Sequence, residues 1–285
     1  MGARSGLTSA FLVFLSAGCA GLGGGTASAV ADPATPVTQG ETRVHRDAKA
    51  CDSGVVEACN ALGVLLEKGD ETPKDSTRAV ELFDRACGAG LGLACSNLAA
   101  MHAAGEGTRR DASRALVFYT RGCNLGAMLA CNALGNFYLS GRGVPQDDGH
   151  AATLFTRACD GGSPLGCANL GALHQIGQGV PKNEAHAAAL YDGACESGEA
   201  LGCTLLGSMF LAGQGVTKDN ARAASFYTKG CDAGSGTGCY FLGLLCARGV
   251  GVPRDRTRAE ALFRRACDGG ERDGCSELLA LRRTE

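Results

Sequence analysis

Hydrophobic residues in this chain fall at helical spacing, in pairs of short segments. Between Asp147 and Asp160 they lie at i, i+3, i+4, i+7 and i+8, which is one face of an α-helix. Asp147 is a good N-cap for this helix, and Gly161-Gly162 ends it. A second helix is predicted from about Ser163 to Ile176. The pattern therefore predicts a helix–turn–helix unit.

This unit recurs with a period of 36 residues. Columns of alanine, leucine and aromatic residues keep the period, and a Gly-x-Gly-Val-Pro-x-Asp loop stands at the same place in successive units. The first unit departs from the loop pattern, since Glu71 stands where the second glycine is expected. A loop present in every unit, with no strand before it, is a structural turn and not a phosphate cradle. Units of this length typically stack into an α-solenoid.

The register gives six complete units and a half-unit at each end. The predicted segments are a signal peptide over 1–18, a flexible tether over 19–40, an N-terminal capping helix over 41–54, six repeats over 55–268 and a C-terminal capping helix over 269–285. The half-units would cover the apolar faces that the end repeats otherwise expose.

The first residues have the composition of a secretory signal, with a positive charge before an apolar core that is too short to span a bilayer. The sequence allows two alternative positions for the end of this signal. The segment from Leu15 to Cys19 resembles a bacterial lipoprotein lipobox, in which Cys19 would be acylated, although Ser16 stands where that motif usually has leucine. The alternative is ordinary cleavage after Ala29 or Ala31.

Cysteine is abundant, with 16 residues in the chain. Fourteen of them form pairs that are eight residues apart and recur every 36 residues. This spacing fits neither the short ligand spacing of zinc sites nor the Cys-x-x-Cys of redox motifs. Because an exported chain meets oxidising conditions, disulfides are predicted.

Counting indicates how these cysteines pair. A separation of 28 would leave Cys51 and Cys275 single, whereas a separation of eight leaves none single. Each bridge closes a small loop and contributes about 2–3 kcal/mol in the chain-entropy model. Cys246 is unpaired and is predicted to be a buried thiol, because its column elsewhere holds large apolar residues. The predicted disulfides are Cys51–Cys59, Cys87–Cys95, Cys123–Cys131, Cys159–Cys167, Cys195–Cys203, Cys231–Cys239 and Cys267–Cys275.

The repeated pattern A-x-x-LG-x-x-Y-x-x-G-x-GV-x-x-D-x-x-x-A-x-x-x-Y resembles the Sel-one-like repeat, a relative of the tetratricopeptide repeat. The 36-residue period with Cys-x7-Cys is similar to the Helicobacter cysteine-rich protein branch of that family. The resemblance covers about 45–283. It implies an all-α fold, an α/α right-handed superhelical solenoid of 36-residue helix–turn–helix repeats cross-linked by disulfides. It also implies an exported protein that acts by binding other molecules.

Proteins of that branch are commonly labelled β-lactamases or penicillin binders, so β-lactamase activity is the alternative function. The chain lacks the Ser-x-x-Lys and Lys-Thr-Gly motifs of the serine enzymes. Its five histidines are scattered, and His102 and His174 stand in a core column. His150 and His186 share a column with four arginines, which is interpreted as a line of i,i+3 surface contacts with the capping Asp or Asn. No catalytic residue, metal site or cofactor is predicted.

The charge balance and architecture favour a protein or peptide partner. A net charge of −2 argues against nucleic acid. A solenoid's first helices line a concave groove that accepts extended segments, and asparagine amides there can donate to and accept from a peptide backbone. The alternatives are solvated helix surface for these amides, and an envelope or peptidoglycan structural role for the protein. We expect a monomer in the periplasm, on the outer membrane as a lipoprotein, or outside the cell. The candidate binding residues are Asn60, Asn97, Asn132, Asn136 and Asn169.

Overall fold

The computed structural model describes residues 42–282, and the predicted signal peptide, tether and Cys19 lie outside that range. The described residues form fourteen α-helices and no strand. They belong to two compact units, one ending at Gln146 and the other beginning at Asp147. This confirms the predicted class of all-α helical repeats cross-linked by disulfides.

The N-terminal unit contains six helices and the C-terminal unit eight. We call the even-numbered helices A helices and the odd-numbered ones B helices. In the N-terminal unit they are α1 Arg43–Asp52, α2 Val56–Lys68, α3 Ser76–Gly88, α4 Gly92–Ala104, α5 Ala112–Asn124 and α6 Met128–Ser140. In the C-terminal unit they are α7 Asp148–Asp160, α8 Pro164–Ile176, α9 Glu184–Glu196, α10 Ala200–Ala212, α11 Asn220–Asp232, α12 Gly236–Arg248, α13 Arg256–Asp268 and α14 Arg272–Arg282.

Side-chain caps begin the B helices of the repeats. Asp147 Oδ1 accepts a hydrogen bond from the backbone N–H of His150 at 2.8 Å, which satisfies a free donor of the first turn of α7. Asn183 makes the same bond to His186 N–H at 3.0 Å. At Asp111 the backbone N–H groups of Arg114 and Ser113 lower the pKa of the carboxyl, because they stabilise its charged form. The capping residues are Asp75, Asp111, Asp147, Asn183, Asp219 and Asp255.

A disulfide joins each B helix, α1 included, to the A helix that follows it. Cys159 in the last turn of α7 is bonded to Cys167 in the first turn of α8, across the turn at Gly162. In all seven bridges the Cα atoms lie 4.5–4.6 Å apart and the cysteines are eight residues apart in sequence. The bridges therefore fasten the turns that change the direction of the chain.

Small residues let large rings fill the narrow space between helices. Gly171 on α8 faces the ring of Tyr191 on α9, and a Cβ atom added there would lie 2.8 Å from the ring carbon Cε1. Tyr191 has no exposed surface. Three further glycine–ring pairs repeat this contact: Gly63 with Phe83, Gly207 with Tyr227 and Gly243 with Phe263. In these pairs the glycine makes room for the aromatic ring, and buried leucine, methionine, alanine and cysteine side chains fill the rest of the core.

The loop after each A helix packs against the B helix before it. Gly179 adopts a left-handed backbone with φ of 69°, and a Cβ atom there would collide with the carbonyl of Asp148 on α7. Glu71 takes the same left-handed conformation in the first loop with φ of 62°, although it is not glycine.

A column of basic side chains on the B helices bridges neighbouring repeats. Arg265 on α13 donates from Nη2 to the carbonyl of Cys231 at 3.0 Å, and its Nη1 lies 3.3 Å from Asp232 Oδ1. In the N-terminal unit Arg121 on α5 donates to the carbonyl of Gly88 at 3.1 Å. The column has one gap in the described B helices that face a preceding repeat, because Gly193 occupies it on α9.

Replacing Gly193 with arginine should stabilise the C-terminal unit. The site has open space, since no atom lies within 4 Å of an added Cβ. Replacing this glycine in the last turn of α9 contributes at most about 0.5–1 kcal/mol, and an exposed contact with the end of α7 adds tenths of a kcal/mol. Urea unfolding of the oxidised protein measures the change. Gly193→Ala isolates the helix-propensity part, and a Gly193→Arg variant less stable than the wild type would contradict this account.

Candidate functional site

The A helices carry the asparagines proposed for binding. In the N-terminal unit Asn60 on α2 is buried and Asn97 on α4 is half-buried. The Nδ2 group of Asn97 donates to Oδ1 of Asn60 at 2.9 Å. These two amides therefore bind each other across neighbouring A helices, which leaves only part of their hydrogen-bonding capacity for a ligand.

The other three asparagines are also less open than predicted. Asn132 on α6 and Asn169 on α8 are buried, and Asn136 is half-buried. Neither Asn132 nor Asn169 is without a partner. The alternative of solvated helix surface is thus wrong for Asn60, Asn132 and Asn169, while their role in binding stays a prediction. The single-sequence pattern missed how closely neighbouring A helices approach when their contacting residues are small.

The C-terminal unit has a different A-helix surface, which is apolar and aromatic. Leu201 and Leu205 on α10, and Tyr240, Phe241 and Leu244 on α12, are half-buried and pack against the core of that unit. We call these five residues the apolar A-helix surface. The sequence prediction did not include this surface, although the repeat pattern indicates it. Leu205 and Phe241 occupy the repeat position that holds asparagine at Asn97 and Asn169.

The rings of this surface continue into the core. Phe241 stacks on Tyr227 with ring centroids 5.3 Å apart and touches Tyr240 at 5.2 Å. Tyr240 also contacts Phe263 at 6.1 Å. Rings that are held by other rings lose little conformational freedom when a ligand covers them, so this surface is preorganised for contact.

Charged groups lie at the end of the same surface. The pKa of the Tyr240 hydroxyl is raised, chiefly by burial. The negative charges of Asp273, Glu277 and Glu271 raise it further. Thr237 on α12 donates to Glu271 Oε2 at 2.8 Å, which ties the start of α12 to the start of α14. The A-helix surface of the C-terminal unit therefore changes from leucine on α10, through aromatic residues on α12, to acidic residues on α14.

Two buried tyrosine hydroxyls reach polar side chains of the A helices. Tyr191 donates to Gln175 Oε1 at 2.9 Å, and Gln175 in turn donates from Nε2 to Gln214 at 3.2 Å. The hydroxyl of Tyr227 lies 2.9 Å from Ser208 Oγ. Burial raises the pKa of Tyr227 to about 12 and raises that of Tyr191 as well. Both hydroxyls are therefore neutral at physiological pH and hold structure in place.

The core histidines differ in burial. His102 is 4% exposed and stacks on Phe118 with centroids 5.4 Å apart, and burial lowers its pKa. His102 Nδ1 is one of two buried side-chain polar atoms without a hydrogen-bond partner in residues 42–282. His174, in the same column of a later repeat, is half-buried, and its Nδ1 lies 3.2 Å from the carbonyl of Pro181.

The column of arginines and histidines on the B helices does more than pair with the caps. Arg114 and Asp111 form the predicted i,i+3 ion pair at 3.8 Å. Arg222 instead places its guanidinium 4.1 Å from the ring centroid of Phe210, which is a cation–π contact. The interpretation as i,i+3 surface contacts is therefore incomplete, because this column also covers the rings at the ends of the A helices.

Groups that support catalysis are sparse in the described residues. No three or more His, Cys, Asp or Glu side chains gather there in a group able to hold a metal ion. Cys246 is buried and unpaired, and burial raises the pKa of its thiol, which disfavours the reactive thiolate. Between residues 42 and 282, no helix has the length and apolar character needed to cross a membrane.

A comparison with protein families identifies the repeat. The family described as Sel1 repeat matches six segments, 56–91, 92–126, 129–163, 164–199, 200–235 and 237–271. The chain belongs to the Sel1 repeat family. The resemblance inferred from the sequence is confirmed, and a Sel1 repeat solenoid is a protein-interaction fold. Each matched Sel1 segment contains one A helix and the B helix that follows it.

Solved structures with the same fold come from several bacteria. A Sel1 repeat protein from Oxalobacter formigenes is 20% identical with a TM-score of 0.70, over 79% of this chain and 96% of that one. A protective antigen of uropathogenic Escherichia coli with an SLR fold is 26% identical with a TM-score of 0.64, over 82% of this chain. The chain spans 50% of the length of that antigen.

The cysteine-rich branch is also represented. Helicobacter pylori cysteine rich protein B is 29% identical over 47% of this chain and 96% of its own, with a TM-score of 0.39 that is too low to support a conclusion. No curated protein matches the sequence. The comparisons do not support the β-lactamase alternative.

Proposed function

We propose that this Sel1 repeat protein is an exported scaffold whose A helices bind an extended segment of a partner protein or a peptide. The observation that carries this proposal is the apolar A-helix surface of the C-terminal unit. Its rings and leucines are half-buried without being enclosed, and aromatic side chains in particular are enriched at protein interfaces. Partners at the bacterial envelope, including peptidoglycan-associated proteins, fit an exported chain.

Export is supported by the disulfides. Seven bridges in one chain indicate an oxidising compartment, because cytosolic thiols are kept reduced. The predicted signal peptide agrees with that compartment, and a lipid on Cys19 would retain the protein at a membrane. The mass of the mature N-terminus distinguishes acylated Cys19 from cleavage after Ala29 or Ala31. We propose that the protein acts as a monomer.

The asparagines have a narrower role in this proposal than the sequence indicated. Asn97 and Asn136 are half-buried and are the amides open to a ligand in the N-terminal unit. The buried amides contribute to contacts within the protein, as the bond between Asn97 and Asn60 illustrates. Recognition therefore relies on apolar contact in the C-terminal unit, with amides adding hydrogen bonds elsewhere.

Replacing two residues of the apolar A-helix surface with asparagine should weaken partner capture. The double variant Leu205→Asn, Phe241→Asn places at both sites a residue that the same column already carries at Asn97 and Asn169, so the fold should accept it. Loss of the Phe241 ring and the Leu205 side chain should weaken binding by at least about tenfold, since one buried interface anchor contributes about 2 kcal/mol or more. Oxidised wild-type and variant proteins are used to capture partners from envelope extracts, and the bound proteins are quantified by mass spectrometry.

Val117→Asn is the matched control. Val117 is an apolar residue with 63% of its surface exposed, but it lies on the B helix α5. This variant should capture the same partners as the wild type, and circular dichroism should show equal helix content in all three proteins. Equal capture by the folded double variant and the wild type would refute the proposed surface.

A further inference from the structure

Two imidazoles meet where α8 ends and α9 begins. His174 lies in the last turn of α8 and His186 in the first turn of α9, and their ring centroids are 4.6 Å apart in an edge-to-face arrangement. The loop between these helices runs from Gly177 to Asn183. No other repeat has histidine in both columns, so this contact is specific to one place in the chain.

The half-buried ring of His174 contacts the loop that follows α8. Its Nδ1 lies 3.2 Å from the carbonyl oxygen of Pro181. A carbonyl oxygen only accepts hydrogen bonds, so this contact is a hydrogen bond when Nδ1 carries the proton, and in that neutral tautomer Nε2 has the free lone pair. Metal-binding histidines in proteins are commonly held in this way, with the second ring nitrogen donating to a backbone carbonyl.

His186 supplies a second, adjustable imidazole. Its backbone N–H is fixed by the side chain of Asn183 at 3.0 Å, which anchors the first turn of α9. Its side chain is exposed, so the ring can rotate to bring a nitrogen beside Nε2 of His174.

The location accepts positive charge. At the same position of the next repeat, the guanidinium of Arg222 lies 4.1 Å from the ring centroid of Phe210. Arginine fills this column in four of the six repeats, so the fold tolerates a cation there. The nearby ammonium of Lys182 is 2.8 Å from Glu184 Oε1, so its charge is compensated. The negative end of the α8 dipole also favours a cation beside His174.

We infer that His174 and His186 form a two-imidazole site for a divalent transition-metal ion such as Ni²⁺ or Zn²⁺. Imidazole nitrogen is a preferred ligand of these ions. Because no group of three or more potential side-chain ligands gathers in residues 42–282, water would complete the coordination. A bound ion would join the two ends of the loop and stabilise this repeat.

Titration of the oxidised, untagged full chain with Ni²⁺ tests the site. Isothermal calorimetry should show one ion per chain, and Ni²⁺ should raise the unfolding temperature. The variant His186→Arg should lower the affinity by at least about tenfold. It should keep the fold, because arginine occupies this column elsewhere. His174→Phe, which copies Phe210, should do the same.

His150→Arg is the matched control, because His150 occupies the column of His186 in the preceding repeat, where Tyr138 stands in place of His174. This variant should bind Ni²⁺ as the wild type does. Absence of binding by the wild type, unchanged affinity in a folded His186→Arg variant, or loss of binding in His150→Arg would each overturn the inference.

Discussion

Reducing all seven disulfides should cost the protein most of its helical structure at neutral pH. Each bridge closes a loop of about eight residues, which corresponds to about 2.5 kcal/mol in the chain-entropy model. Taken together, seven such constraints match or exceed the whole stability of a typical domain, about 5–15 kcal/mol. Much of the interior is alanine, glycine and cysteine, and these small residues bury limited apolar surface to offset this loss. Far-UV circular dichroism with and without reductant measures the effect.

Removing one bridge should destabilise the protein in the same way but to a smaller extent. A Cys159→Ala, Cys167→Ala double variant should lower the free energy of unfolding by about 2–3 kcal/mol while the other bridges hold their turns. Cys246→Ala provides the comparison, because Cys246 is buried but unpaired and its loss removes only packing. A reduced chain with unchanged helix content would show that the bridges are incidental to the fold.

Gly179→Ala should be among the most damaging single substitutions in the loops. Two costs combine at this position. A left-handed backbone costs a non-glycine residue about 1–2 kcal/mol. An added Cβ also collides with the carbonyl of Asp148, so the loop must move away from α7. We expect a loss of about 3 kcal/mol or more, measured by urea unfolding of the oxidised protein.

Gly162→Ala separates the two costs. Gly162 also has a left-handed backbone, with φ of 83°, but an added Cβ would meet no atom within 4 Å. This variant should lose only the backbone part, about 1–2 kcal/mol. Equal effects of the two substitutions would mean that the close approach of the Gly179 loop to α7 adds nothing to stability.

Local features of the fold were predictable because their causes lie within a few residues. The apolar spacing after Asp147 and the glycines at 161 and 162 predicted a helix that the structure has at Asp148–Asp160. The predicted second helix from about Ser163 corresponds to α8, with Ser163 as its N-cap. The 36-residue period then predicted the same pair of helices in each of the other repeats.

Features that depend on contact between repeats were not predictable in the same way. The burial of Asn60 and its bond to Asn97 require two A helices to approach closely, and a single repeat does not encode that distance. The ring contacts of Arg222 and His186 lie within single repeats, but they too join residues on different helices and depend on how those helices pack. The apolar surface at Leu205 and Phe241 can be predicted from the sequence by comparing the residue type at this repeat position in every repeat. A search of the same position for asparagine alone overlooks it.

Disulfide mapping of the mature protein tests the central claim most directly, namely that bridges between successive helices fasten this repeat fold. The protein is purified from its native compartment, its free thiols are blocked, and it is digested without reduction for mass spectrometry. The account predicts seven bridges between cysteines eight residues apart and a blocked Cys246. Blocked thiols throughout the repeats, zinc bound to them, or pairing at a separation of 28 would contradict it.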